Sequence, residues 1–264
     1  MNRSVSRPIA ISRETPGFDL APNAHRITTD EEALAVAREA LMLVEDAEDP
    51  FPYTTVNFLG GLIHLWRGET ALAEGLFRKS LNRCAERGFS EIGALNTALL
   101  GLLSASQGKA QAGLEQVCQG LAILAAGSGT FREQDQYLLA LGYGFAGKPD
   151  EAFATLEKAL EWTERSGEVS DLAGMHLLKG HLFQGRSNSQ EAEKSFRTSV
   201  EIARRQSAKS LELRATTSLA RLLRDTNRRE EARAMLAEIY NWFTEGFDTL
   251  DLKDAKALLE ELRH

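Results

Sequence analysis

The sequence predicts an all-α solenoid of antiparallel helix hairpins, closed by a short C-terminal capping helix. Three observations predict it. A period of about forty residues runs through most of the chain, and small residues recur at fixed places within it. The composition also agrees: 43% hydrophobic and 26% charged residues, with Gly 21 and only Pro 6, describe a folded, helix-tolerant chain rather than a disordered one. At 264 residues, length alone allows one large domain or two ordinary ones.

Residues 1–28 mix Ser, Arg and Pro without a period, which predicts a flexible N-terminal tail. From Thr29 the character changes. Asp30, Glu31 and Glu32 open a segment in which Leu34, Ala37, Leu41 and Val44 fall at helical spacing, with Thr29 as its cap. This helix, expected over 30–47, stops before Asp49-Pro50 and forms a half-repeat over 29–48.

The repeats follow. A small residue falls at Gly61, Gly101, Ala140, Gly180 and Ala220, in steps of 40, 39, 40 and 40. Seven residues after each comes a turn residue, Gly68, Gly108, Gly147, Ser187 and Asn227, all suited to a tight or left-handed connection. Five later stand Ala73, Gly113, Ala152, Ala192 and Ala232, and four beyond those a bulky apolar group: Phe77, Val117, Leu156, Phe196 and Leu236. A last column holds Ser80, Gly120, Ala159, Ser199 and Ile239. Two antiparallel helices approach closely only where one presents Gly or Ala, and a large residue one turn on fills the space beside that contact. Each hairpin leaves an apolar face for its neighbour to cover, so the hairpins stack. Repeats are expected over about 51–88, 91–127, 130–167, 170–207 and 210–245, making six hairpin-like units with the half-repeat. At the C-terminus, Tyr240, Trp242, Phe243 and Phe247 are expected to close the last hairpin. Leu252, Ala255, Leu258, Leu259 and Leu262 mark a capping helix over 251–262, with a dimerisation or docking helix as the alternative.

These columns resemble the tetratricopeptide repeat, whose usual period is about 34 residues; here each repeat is about six residues longer. The usual tryptophan near the start of each repeat is replaced by Asn57, Thr97, Gln136, His176 and Thr216, while Tyr143 keeps the family's aromatic in one repeat. The resemblance implies right-handed superhelical curvature. Residues 204–224 and 239–262, with LLKG at 177–180 and DPF at 49–51, resemble more narrowly the C-terminal repeats of bacterial signalling regulators that carry a class III adenylate cyclase or transcription-factor region and a P-loop ATPase. No cyclase, ATPase or DNA-binding motif occurs here, so those activities do not carry over.

Little in the sequence could carry catalysis, and the chain reads as a non-enzyme without cofactor or metal. The spacing Gly101 to Gly108-Lys109 is too long for a Walker A loop, and both glycines belong to repeat columns. Gly127-Ser128-Gly129-Thr130 reads as a turn between hairpins. His176 and His181 lie five apart on one helix, so they diverge by about 140° and do not chelate together. Cys84 and Cys118 cannot form a disulfide framework and read as buried small hydrophobes. No Gly-x-Ser-x-Gly elbow is present.

Binding is the better reading. The resemblance implies that the first helix of each hairpin lines a concave groove, which assigns Phe58, Leu62 and Trp66 to the first repeat. Gln134, Tyr137 and Leu141 follow from the third, His181 and Gln184 from the fourth, and Arg214, Thr217, Arg221 and Arg224 from the fifth. The groove would run from apolar to basic. Residues 185–234 carry twelve Lys and Arg against seven acids, whereas 30–49 carry eight acids against Arg38. The expected partner is a protein or peptide with apolar and acidic side chains, since arginine forks suit carboxylates; self-association through the oppositely charged ends is a further expectation. Ordinary helix-surface pairing would explain the same charges. A net charge of -7 disfavours nucleic acid, and no apolar run is long enough to span a bilayer. The N-terminus lacks a signal-peptide core, so the expected address is the bacterial-type cytoplasm. The reading is an interaction scaffold in bacterial signalling, with a small-ligand sensor as the alternative.

Overall fold

The computed structural model describes residues 30–45, 49–128, 133–167 and 169–263, with side chains from Leu34 onward except at 128, 133 and 134. The tail expected over 1–28 and the Thr29 cap lie outside the described residues. Twelve helices and no strand occur among the described residues: α1 (Asp30–Glu45), α2 (Pro50–Trp66), α3 (Thr70–Arg87), α4 (Ser90–Ser106), α5 (Ala110–Ser128), α6 (Glu133–Phe145), α7 (Pro149–Ser166), α8 (Leu172–Gly185), α9 (Ser189–Gln206), α10 (Lys209–Asp225), α11 (Arg229–Tyr240) and α12 (Leu250–Glu261). Five antiparallel pairs run from α2–α3 to α10–α11, flanked by single helices, and each helix packs on its chain neighbour. The fold is an all-α solenoid with a final capping helix.

Local chemistry sets the boundaries. Asp49 accepts a hydrogen bond from the Phe51 amide at 2.9 Å, and Pro50 occupies the first helical position of α2, where its missing N–H costs nothing. The turn column is left-handed throughout, with φ from 57° at Ser187 to 93° at Gly108, and Asn227 at 62°. Gly127 and Ser128 extend α5 rather than forming a turn, and 129–132 lie outside the described residues.

The small columns meet across each pair. A Cβ on Gly61 would lie 2.5 Å from the Phe77 ring, and one on Gly180 would collide with Phe196 in the same way. In α4–α5 the approach is backbone to backbone: a Cβ on Gly101 would stand 2.7 Å from the Gly113 carbonyl oxygen. The last column has a polar logic too. Ser80 Oγ donates to the Thr54 carbonyl at 2.8 Å and Ser199 Oγ to the Ala173 carbonyl at 2.7 Å, each seven residues before the repeat's first small position. In the second repeat Gly120 abuts the corresponding Ala94 carbonyl, where an added Cβ would come within 2.5 Å.

The first helices of successive hairpins touch one another, α2 with α4, α4 with α6, α6 with α8 and α8 with α10, whereas among the described residues the second helices show less contact with one another. Helices on the inside of a curve crowd together, so α2, α4, α6, α8 and α10 form the inner layer. Helix α12 packs against α10 and α11, extending that layer, and buries Leu252, Ala255, Leu258 and Leu262, with Leu259 half-buried. The aromatic closure expected at 240–247 is only partial. Trp242 is 56% exposed and Phe247 is exposed too; Leu236, Ile239 and Leu258 close the core instead. A linker crossing from α11 to α12 keeps its own aromatics in local pairs, Tyr240 with Phe247 and Trp242 with Phe243. Cys84 is buried as expected, but Cys118 is exposed, because it follows core-facing Val117 and so faces outward on α5.

Candidate functional site: the inner layer

Each candidate groove residue has a definite place. On α2, Leu62 is buried, while Phe58 and Trp66 are half-buried at the edge of the core, with the Phe58 ring 6.2 Å from that of Phe77. On α6, Tyr137 and Leu141 are buried, and the Tyr137 hydroxyl reaches the backbone of α8 at Gly174. The side chain of Gln134 lies outside the described residues. On α8, His181 stands edge-on to Phe196 with ring centroids 5.1 Å apart, and its Nε2 lies 3.3 Å from Ser218 Oγ of α10. Gln184 is half-buried. Thr217 is buried and turns its hydroxyl back to the Leu213 carbonyl at 2.8 Å.

The arginines of α10 are not bare. Arg214 is buried, and its Nε donates to Asp251 at 2.6 Å. Arg221 pairs with Asp254, and Arg224 pairs with Glu261 at 2.9 Å and Asp225 at 2.8 Å. Three carboxylates of α12 thus meet three arginines of α10. Elsewhere in the basic stretch, Arg197 and Arg228 share Glu193 and Glu231, and Arg204 and Lys209 share Glu212. The positive surplus of 185–234 is largely neutralised by pairing, much of it with residues beyond that stretch.

Sequence reasoning missed where α10 leads. Its residues from Leu211 to Ala220 are buried without interruption, which means that helix is covered on every side. The cover includes the first hairpin. Arg214 Nη2 donates to the Trp66 carbonyl at 2.5 Å, and Arg67 Nη2 donates to Asp248 Oδ2 at 3.0 Å. Glu69 holds Arg67 from its own side, Nε to Oε1 at 3.2 Å, and also meets His64 Nδ1 at 2.5 Å. Burial works against ionising Glu69, yet the hydrogen bonds from His64 and Arg67 hold its carboxyl below the usual range. The two ends of the solenoid are therefore in contact. A repeat pattern reports neighbours only, so no periodic signal pointed to this junction. The arginines at 214, 221 and 224 and the acids at 251, 254 and 261 mark the α10–α12 seam, not this junction.

Two histidines of the inner layer stay neutral. Burial pushes His181 down to about 4, with Arg221 adding repulsion, and burial with Lys179 nearby lowers His176 to about 4. An unfolded chain protonates both near pH 6.5, so it binds more protons than the folded one as pH falls. Stability should then fall between pH 6.5 and 4, by up to about 1.4 kcal/mol per pH unit for each histidine. Urea unfolding at pH 7, 5.5 and 4.5 would show it, and His181→Gln should remove roughly half of the slope. An unchanged slope in that variant would assign the acid sensitivity to carboxylates instead.

Among the described residues no group of three or more His, Cys, Asp or Glu is arranged to hold a metal ion, and no helix is long and apolar enough to cross a membrane. No family model matches the chain, and no curated protein matches it. Solved structures do. A Rap protein complexed with competence and sporulation factor matches with a TM-score of 0.62 at 15% identity, over 89% of this chain and 68% of that one. The apo form of RapI matches with a TM-score of 0.52 at 16% identity, over 90% and 93%. BtubC from P. vanneervenii matches at 0.50 and 17%, over 89% and 90%. At these identities the likeness is one of fold: the chain has the tetratricopeptide-like, helix-hairpin-repeat architecture.

Proposed function

We propose that the chain is a non-catalytic interaction module that takes a segment of a partner protein, or a peptide, on its inner layer, acting in the cytoplasm in bacterial signalling or regulation. The observation that carries this reading is the inner layer itself. Its five helices pack in succession, and three of them keep half-buried aromatic side chains at the core's edge, Phe58 and Trp66 on α2, Tyr143 and Phe145 on α6 and Phe183 on α8, which is where a repeat array supplies interface energy. The likeness in fold to a Rap protein complexed with competence and sporulation factor supports it. The narrower kinship with cyclase- and ATPase-bearing regulators rests on residues 204–224 and 239–262. An acidic ligand side chain would have to exchange with Asp254 or Glu261 for Arg221 or Arg224. That makes apolar contact the larger contribution, and makes association of oppositely charged ends the weaker part of the reading.

The test compares affinity capture from native cytosol by the intact protein and by a Phe58→Ala/Tyr143→Ala variant with unchanged helicity and melting temperature. A partner retained by the first and lost by the second supports the reading. Equal capture by both moves the interface off the inner layer. No partner, with a metabolite raising the melting temperature, would replace it with the small-ligand sensor.

A further inference from the structure

A solenoid held only by stacking has contacts between neighbouring repeats and none between its ends. This one has a second kind of contact, and its construction is reciprocal. Among the described residues, each end contributes an arginine, fixes it with a carboxylate of its own, and reaches an acceptor on the other end. Arg214 is held by Asp251 and donates across to the carbonyl of Trp66, the last residue of α2. Arg67 is held by Glu69 and donates across to Asp248. The Trp66 carbonyl is one of the four that a helix leaves unsatisfied at its C-terminus, where the dipole also favours a cation. Next to Arg67, Gly68, whose φ is +76°, packs under the Leu250 side chain, and an added Cβ would stand 2.9 Å from Leu250 Cβ.

We propose that these residues form a clasp that opens and closes as a unit, switching the array between a ring and an open solenoid without unstacking any hairpin. Three features argue for opening rather than permanent fusion. The junction carries little helix packing among the described residues: α2 packs on α1, α3 and α4, whereas α12 packs on α10 and α11. Its bonds are polar, and Asp248 is 70% exposed on its side chain, so both partners regain water on separation. The Trp66 indole N–H beside this seam is buried with no acceptor among the described residues, a cost that access to water on opening would relieve. The inner-layer hairpins between the two ends have their own continuous core from Leu62 to Leu182 and do not need the clasp to stay folded. The clasp rests on this geometry alone and stands apart from the proposed partner binding.

The test is amide hydrogen exchange on the full chain, read together with small-angle scattering. Arg67→Gln and Asp248→Asn should each speed exchange at 66–70 and 246–252 by on the order of tenfold, with α4 to α9 unchanged and a larger radius of gyration. Molar salt should do the same to the unaltered protein. Unchanged exchange in both single variants would overturn the clasp. So would acceleration spreading evenly through α4 to α9, which would make the junction part of one cooperative unit.

Discussion

Replacing Phe196 with alanine should lower the stability of the folded chain by about 3–5 kcal/mol. The side chain has no solvent exposure. It fills the space that Gly180 leaves on the facing helix and gives His181 its edge-on ring contact. Truncation therefore removes the transfer free energy of a whole ring. It also leaves a cavity that cannot collapse, because the helices on both sides are held by their own stacking neighbours. Phe77, equally buried against Gly61, should behave alike in the first hairpin. Urea unfolding measures both. A loss below about 1 kcal/mol for either would mean that its hairpin is not built around that ring.

Gly113→Val should be as damaging for a different reason. A Cβ at this position would lie 2.5 Å from the Ala105 amide nitrogen and from the Gly101 carbonyl oxygen. Both are backbone atoms, so no rotamer change relieves the clash, and α4 and α5 must separate along their length. A cost of about 3 kcal/mol or more is expected. Gly75→Ala in α3 provides the contrast. Nothing lies within 4 Å of its added methyl, and the position is exposed within a helix. Removing a flexible residue there should stabilise the protein by about 0.5–1 kcal/mol. If both substitutions behaved alike in urea, the close approach of α4 and α5 would be wrong.

The hairpins were legible because the constraint that makes them is local and recurs. Gly61 against Phe77 and Gly180 against Phe196 obey one rule at one spacing, and a left-handed turn is needed at the same place in every pair, even where Ser187 and Asn227 supply it. The capping helix was legible from its single apolar stripe. The left-handed residues that end several second helices, Gly88, Gly167 and Ser207, form a similar column between hairpins, where no column was expected. Exposure was harder to read than spacing: Cys118 and Trp242 are apolar types that face outward, which a residue's chemistry alone does not announce. At the candidate site, the residue types on the inner layer could be named but not their partners. Arg214 and Trp66 stand 148 residues apart in sequence, and their meeting depends on the accumulated rotation of every repeat between them.

That accumulated rotation makes repeat number a structural quantity. An open array can gain or lose a unit at its end and keep the same architecture, because only the terminal interface changes. Here one forty-residue unit more or fewer would turn α12 away from the first hairpin and leave Arg67 and Arg214 without their distant acceptors, though every stacked interface survived. The chain thus counts its own repeats. Its evolution by duplication or loss of a hairpin is restrained by a handful of atoms at the seam rather than by the hairpins themselves.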